Sequence, residues 1–322
     1  MSTGQSSIAL QIQAGIGAAA WFEPLLGLVT GALGGWLADV LVTTTHHEGT
    51  WIGALFGLAF GRCFASRSTS PGAGLIWGVS CAFLLWVIIP AGMMPLLVHS
   101  TAMLRDARER FPELVAYLAC FGLPVGTALG LYGSLRYKVD QPPFRWGRAV
   151  IAGGLAGIIA GLIFSRWMYE GNFFPLLAGI GQPGPGSTTV TIHFGVALLI
   201  GVTFGLLFQC DVRGYGSSMG WGLGYAILCW FLGQLSLLPA IAGIPLDWSA
   251  DKGAGLFGSL VGHIIYGLIL GVVYATLDRL WVRLFIQSDP LNREKEGPGS
   301  VSCVPWSGER SPAWRAASSQ AR

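Results

Sequence analysis

Residues 53–95 read GALFGLAFGRCFASRSTSPGAGLIWGVSCAFLLWVIIPAGMMP, and residues 197–239 read ALLIGVTFGLLFQCDVRGYGSSMGWGLGYAILCWFLGQLSLLP. Laid over each other at a constant offset of 144, without a gap, they agree at 12 of 43 positions. Shared glycines are cheap in apolar sequence. Two aligned tryptophans (Trp77/Trp221 and Trp86/Trp230) and an aligned proline (Pro95/Pro239) are not. The stretch predicts an internally duplicated unit, and its apolar character makes that unit a membrane one.

Working outward, apolar residues make up 52% of the 322-residue chain and charged residues 11%, against about 25% charged in soluble domains. Mean hydropathy is +0.59. Together these exclude an ordinary soluble fold and predict an all-α, polytopic integral membrane protein. Eight apolar stretches approach the ~20 residues that cross a bilayer: 24–44, 49–66, 72–98, 114–135, 148–168, 190–209, 217–243 and 254–277. The expected organisation is an N-terminal segment (1–22), a first four-helix repeat (23–137), a second (147–281) and a disordered cytoplasmic tail (287–322). Four helices per repeat is an even number, so the two repeats should run in the same direction.

Glycine supplies 48 residues, which lets helix backbones approach closely in lipid. The ladders Gly57/Gly61, Gly201/Gly205 and Gly267/Gly271 recur at i, i+4, the small-xxx-small spacing of close helix contacts. Gly27, Gly31 and Gly35 align with Gly153, Gly157 and Gly161, and Gly126 and Gly130 align with Gly267 and Gly271. Pro90 is expected to kink the third helix.

Of the 19 Lys and Arg residues, 14 fall on the side shared by both termini and five on the other. The positive-inside rule then places both termini in the cytoplasm of a multi-pass protein. All five histidines fall in the outward half with this orientation. His46 and His47 lie beside Glu48 in the first loop, His99 ends the third helix, His193 opens the sixth, and His263 lies within the eighth. The offset sets His193 opposite Gly49, near His46 and His47. This outward group of imidazoles and carboxylate could sense external acid, relay protons or ligate a metal. Ionisable groups inside a span usually face the bundle interior, which singles out His263. Gln234 and Asp39 are the other intramembrane polar residues in need of partners; Gln234 suits a bridge between helices, and Asp39 suits snorkelling outward or pairing with a histidine.

Catalytic motifs are absent. His46-His47-Glu48 is not HExxH, no Walker lysine follows a glycine-rich loop, and Ser259 beside His263 lacks an orienting third group. The cysteines form no CxxC pair, so neither a disulfide framework nor a zinc ribbon is indicated. No cofactor motif and no basic patch for nucleic acid is present. The expectation is therefore a non-enzymatic membrane protein: a small-solute, ion or proton pathway, or an acid-stress factor. Two other readings stay open, an accessory scaffold subunit of a larger membrane complex and a haem- or metal-binding membrane protein. Candidate partners are the lipid bilayer, a second copy of the chain and other membrane subunits.

His193, the run Pro239-x3-Gly243-x-Pro245-x2-Trp248 and Gly262-His263 resemble the YagU-type family of bacterial inner-membrane proteins over about 85 residues. That family looks like a single four-helix unit. The resemblance implies a bacterial cytoplasmic membrane and a role under external acid. On the glycine alignment the first repeat has Gly122 where the second has His263.

Overall fold

The computed structural model describes residues 3–42, 49–93, 97, 103–136, 144–170 and 186–287. His46, His47, Glu48, His99, Pro95 and the tail beyond residue 287 lie outside them. Among the described residues the chain is helical, without strands. The helices are α1 (Thr3–Val42), α2 (Gly49–Phe64), α3 (Pro71–Ile88), α4 (Met103–Glu109), α5 (Phe111–Arg136), α6 (Trp146–Glu170), α7 (Gly186–Phe208), α8 (Tyr215–Ile241), α9 (Ala250–Gly255) and α10 (Phe257–Trp281). Seven are long and apolar enough to cross a membrane. The eighth expected span, α2, has 16 residues, about 24 Å at 1.5 Å per residue. The helix expected over 254–277 runs on through a π-helical end, Val282–Gln287. α1 is continuous across residue 22.

Glycines set the helix pairing. A Cβ on Gly27, Gly31 or Gly35 would overlap the carbonyl oxygen of Gly57, Gly53 or Gly49 respectively. Each turn up α1 is thus a turn down α2, which makes the pair antiparallel with backbones in contact. α6 and α7 repeat this: Gly153 meets Gly201, and Gly157 meets Ala197. The last rung of each ladder departs from glycine on glycine. Gly61 lies on the Glu23 carbonyl and the Pro24 backbone, not on a glycine, and Gly205 lies on the Ala149 carbonyl. The glycine row of α1 ends at Gly27, one turn short of Glu23. Contact at Gly61 is with backbone, so the larger side chain of Glu23 does not hold the helices apart.

In the next pair, Gly74 and Gly78 on α3 meet Gly126 and Gly122 on α5. On α8 and α10, Gly222 meets Gly267, and Gly271 meets Ser218. In hydrocarbon such contacts gain dispersion over long flat faces with little side-chain entropy to lose. The opposite faces are apolar and exposed; α1 shows Leu25, Val29, Leu33, Trp36 and Val40 outward, as a lipid-facing surface should.

These contacts correct one alignment. Gly122 lies against Gly78 and Ala82 as Gly267 lies against Gly222 and Ala226. The counterpart of Gly267 is therefore Gly122, not Gly126, and the counterpart of His263 is Leu118, not Gly122. A ladder with a four-residue period matches itself again after one turn, so glycines alone cannot fix its register.

The two groups of four helices touch at matching ends. At one end Ser70 donates to the Asp211 carboxylate, and Gly72 packs on Leu207 and Phe208. At the other, Arg108 pairs with Asp251, and Phe111 packs on Gly253. Two buried clusters result. One is built from Phe56, Phe60, Leu118, Phe121, Val125 and Leu129, and extends to Trp230 and Leu235. The other is built from Ala156, Phe164, Phe204, Phe208, Tyr225, Tyr266 and Tyr274.

The π-helical stretch Ile89–Met93 holds Pro90 at its second residue, so the expected disturbance takes the form of a widened turn. The corresponding part of α8, Trp230–Leu237, is π-helical too and contains Gln234.

Candidate functional site at the histidine end of the second helix group

One face of α10 carries the buried Ser259, Tyr266, Leu270, Tyr274 and Asp278 and the half-buried His263, spaced three or four residues apart. At 1.5 Å per residue this row is about 28 Å long, close to the ~30 Å of a bilayer core. α6, α7 and α8 enclose it.

His193 and His263, singled out separately in the sequence, meet here. His193 is 5% exposed. Its ring centroid lies 5.8 Å from that of Phe164 on α6, and the His263 ring stands edge-on to the same phenyl at 5.2 Å. Small residues open the space: a Cβ on Gly262 would overlap Phe164 and Trp167. Trp167 Nε1 donates to the Gly258 carbonyl at 3.0 Å and holds the end of α6 against α10.

The hydrogen bonds fix the tautomers. His193 Nε2 lies 3.0 Å from the Gly161 carbonyl oxygen, and His263 Nδ1 lies 2.8 Å from the Ser259 carbonyl oxygen. A carbonyl only accepts, so each ring donates one N–H to backbone. In the neutral ring the second nitrogen is then an acceptor.

Further along, the Tyr266 hydroxyl donates to the Ala197 carbonyl at 3.0 Å, and the Tyr225 hydroxyl lies 2.8 Å from Thr203 Oγ1. Phe204 and Leu270, both 0% exposed, form an apolar layer against Tyr274. The far end is charged. Arg148 Nε donates to Asp278 Oδ1 at 2.5 Å and its terminal nitrogen to Oδ2 at 2.6 Å. Both side chains are nearly buried, at 11% and 9% exposed. This bidentate geometry is the strong form of the Arg–carboxylate pair. Sequence reading missed it, having singled out neither Arg148 nor Asp278. The signal was present: Asp278 lies four residues beyond Tyr274 on the face headed by His263.

The other intramembrane candidates lie elsewhere. Asp39, expected to snorkel or pair with a histidine, caps α2 instead. Oδ1 accepts from the Gly49 N–H at 3.0 Å, and Oδ2 accepts from the Thr50 N–H at 3.2 Å. A carboxylate at a helix N-terminus satisfies otherwise unpaired donors and faces the positive end of the helix dipole. Gln234 is half-buried, with no interhelical hydrogen bond to another described residue. The Arg67 guanidinium lies 5.8 Å from the ring centroids of Phe64 and Trp77. Among the described residues no group of three His, Cys, Asp or Glu side chains is arranged to hold a metal ion.

Outside the spans, Asp211 joins the two helix groups. Besides the Ser70 bond, Trp221 Nε1 donates to its backbone carbonyl at 3.3 Å. Burial pushes the Asp211 carboxyl up to about 6, against the opposing pull of Ser70 and Arg213.

No family model, curated protein or solved structure matches the chain.

Proposed function

We propose that the chain is a duplicated, non-enzymatic membrane protein whose second four-helix unit conducts protons between the two faces of the membrane. The observation that carries this reading is the meeting of His193 and His263 on Phe164, at the head of a row of hydroxyl and carboxylate groups. At the corresponding places the first group of helices has Gly49 and Leu118. Loop charge puts the imidazoles on the outer face and Arg148–Asp278 on the cytoplasmic face. In this reading, acid outside protonates the two imidazoles, which pass the charge inward. Phe204 and Leu270 act as a hydrophobic constriction that opens only when wetted. The resemblance to the YagU-type family supports a bacterial inner membrane and a task under external acid.

The test is proton flux into vesicles carrying a pH-sensitive dye. The purified protein should acidify the lumen after an outside pH drop faster than empty vesicles do. His263→Ala should bring the rate close to the empty-vesicle value while leaving helix content unchanged. Equal rates for wild type and His263→Ala would remove the reading.

A further inference from the structure

The hydroxyl of Tyr274 is out of keeping with its surroundings. The side chain is 0% exposed, and its oxygen finds no hydrogen-bond partner among the described residues. Tyr266, two turns away on the same helix, reaches the Ala197 carbonyl, and Tyr225 reaches Thr203. Buried hydroxyls in membrane helices are normally satisfied, because lipid offers nothing in exchange.

One turn further along α10 is Asp278, locked in its bidentate pair with Arg148 from α6. Asp278, Arg148 and Cys210 lie within electrostatic reach of the Tyr274 oxygen. On its other side the ring stands edge-on to Phe204 at 5.3 Å, which closes the site toward the histidines. In the first helix group Leu129 and Gly133 occupy the matching places, and Leu129 is fully packed.

We propose that Tyr274, Asp278 and Arg148 form an internal hydration site that accepts water or its protonated form, hydronium, and serves as the cytoplasmic gate of the proton path. This rests on the pathway reading above. Water has the size and the mixed donor–acceptor character to bridge a phenol and a carboxylate. Tyr274 donates to the water, and the water donates to Asp278. An arriving proton makes the water hydronium. Transfer to Asp278 leaves neutral water and a neutral acid, and loosens the hold of Arg148. Release of that proton to the cytoplasm restores the carboxylate and reforms the pair. Arg148 remains protonated throughout, so it fixes the resting charge of the gate.

The experiment is Tyr274→Phe, which removes one oxygen and keeps the ring, with Tyr266→Phe as the control for a tyrosine of known partner. Two readouts are taken: proton flux in vesicles and the thermal midpoint in detergent. A hydrated hydroxyl predicts at least tenfold slower flux and a lower midpoint for Tyr274→Phe, the latter matching the direction seen for Tyr266→Phe. A dry, unpaired hydroxyl predicts the opposite shift, because phenylalanine relieves it, and a raised midpoint would overturn the site whatever the flux. Wild-type flux with unchanged flux in Tyr274→Phe would overturn the gate and leave the pathway standing. Absence of flux in wild type would instead overturn the pathway and the gate together, and the midpoint would still decide the hydration.

Discussion

The two groups of four helices share a backbone plan and differ in what fills it. In both, the first helix lies antiparallel on the second along glycines, and the third lies on the fourth. In the first group the side chains inside are Leu114, Leu118, Phe121 and Leu129, all nearly inaccessible. In the second the corresponding positions hold Ser259, His263, Tyr266 and Tyr274. Packing alone would be served by either set. Polar groups are expensive in hydrocarbon, and at these four positions only the second group carries them. The comparison teaches that one backbone plan accepts an apolar filling or a polar one at the same places.

The ends of the two groups show the same contrast. In the first, Glu23 on α1 pairs with Arg136 on α5. In the second, Arg148 on α6 pairs with Asp278 on α10, with the charges exchanged between helices and the pair more deeply buried. Arg148→Ala should therefore break the second group hardest. Stranding a buried carboxylate costs about 3–5 kcal/mol, whereas Arg136→Ala, at a more exposed pair, should cost about 1 kcal/mol. Chemical denaturation in mixed micelles measures both, and exchanging the second pair (Arg148→Asp with Asp278→Arg) should recover part of the loss. Equal losses at Arg148 and Arg136 would erase the distinction.

The glycine faces should behave alike instead. Gly57→Ala and Gly201→Ala each place a methyl on a backbone carbonyl, and each should cost about 3 kcal/mol through forced separation of the helices. A large loss at one and none at the other would mean that the frames are not equivalent.

Asp211 sharpens the comparison where the groups join. Its raised folded pKa means that the folded protein holds the proton more tightly than the unfolded chain. Its stabilising contribution is then fully present below the unfolded value near 4, and is lost as pH rises through about 6. The thermal midpoint of wild type should fall across that window by the equivalent of about 1–3 kcal/mol. Asp211→Asn should lack that part of the fall, and parallel pH curves for the two proteins would refute the assignment. The smallest effect is expected at Asp39, where alanine removes the cap of α2 and costs about 1 kcal/mol. Ser165→Ala, the matching change in the second group, should cost nearly nothing, since among the described residues Ser165 bonds only the Leu162 carbonyl of its own helix.

Much of this frame was legible in the residues. Apolar runs gave the helices, and the glycine ladders at i, i+4 marked the faces that meet. They did not name every partner: Gly61 rests on Glu23, a residue no small-residue pattern would select, because only its backbone is touched. The register of the fourth helix was not legible, because a ladder of period four aligns equally well one turn away; Ala82 and Ala226, packed on the partner helix, decide it. α2 was the shortest expected span, and it is shorter still in the structure. The Asp39 cap depends on how α1 lies beside the start of α2, a closeness that sequence separation does not encode. For the candidate site, His193 and His263 stood out as imidazoles in apolar helices. Their convergence on Phe164 needed three helices to be placed at once. Tyr266 and Tyr274 were hidden for another reason: a tyrosine in a membrane helix looks like an ordinary packing residue until its hydroxyl is followed to a partner, or to none.

The central claim is that one frame is wet and the other dry. It is tested most directly by an experimental structure in lipid nanodiscs at a resolution that shows ordered water. The account predicts water beside His193, His263 and the Tyr274 hydroxyl between α6, α7, α8 and α10, and none between α1, α2, α3 and α5. A dry interior in both groups, or water lining the first group as fully as the second, would contradict it.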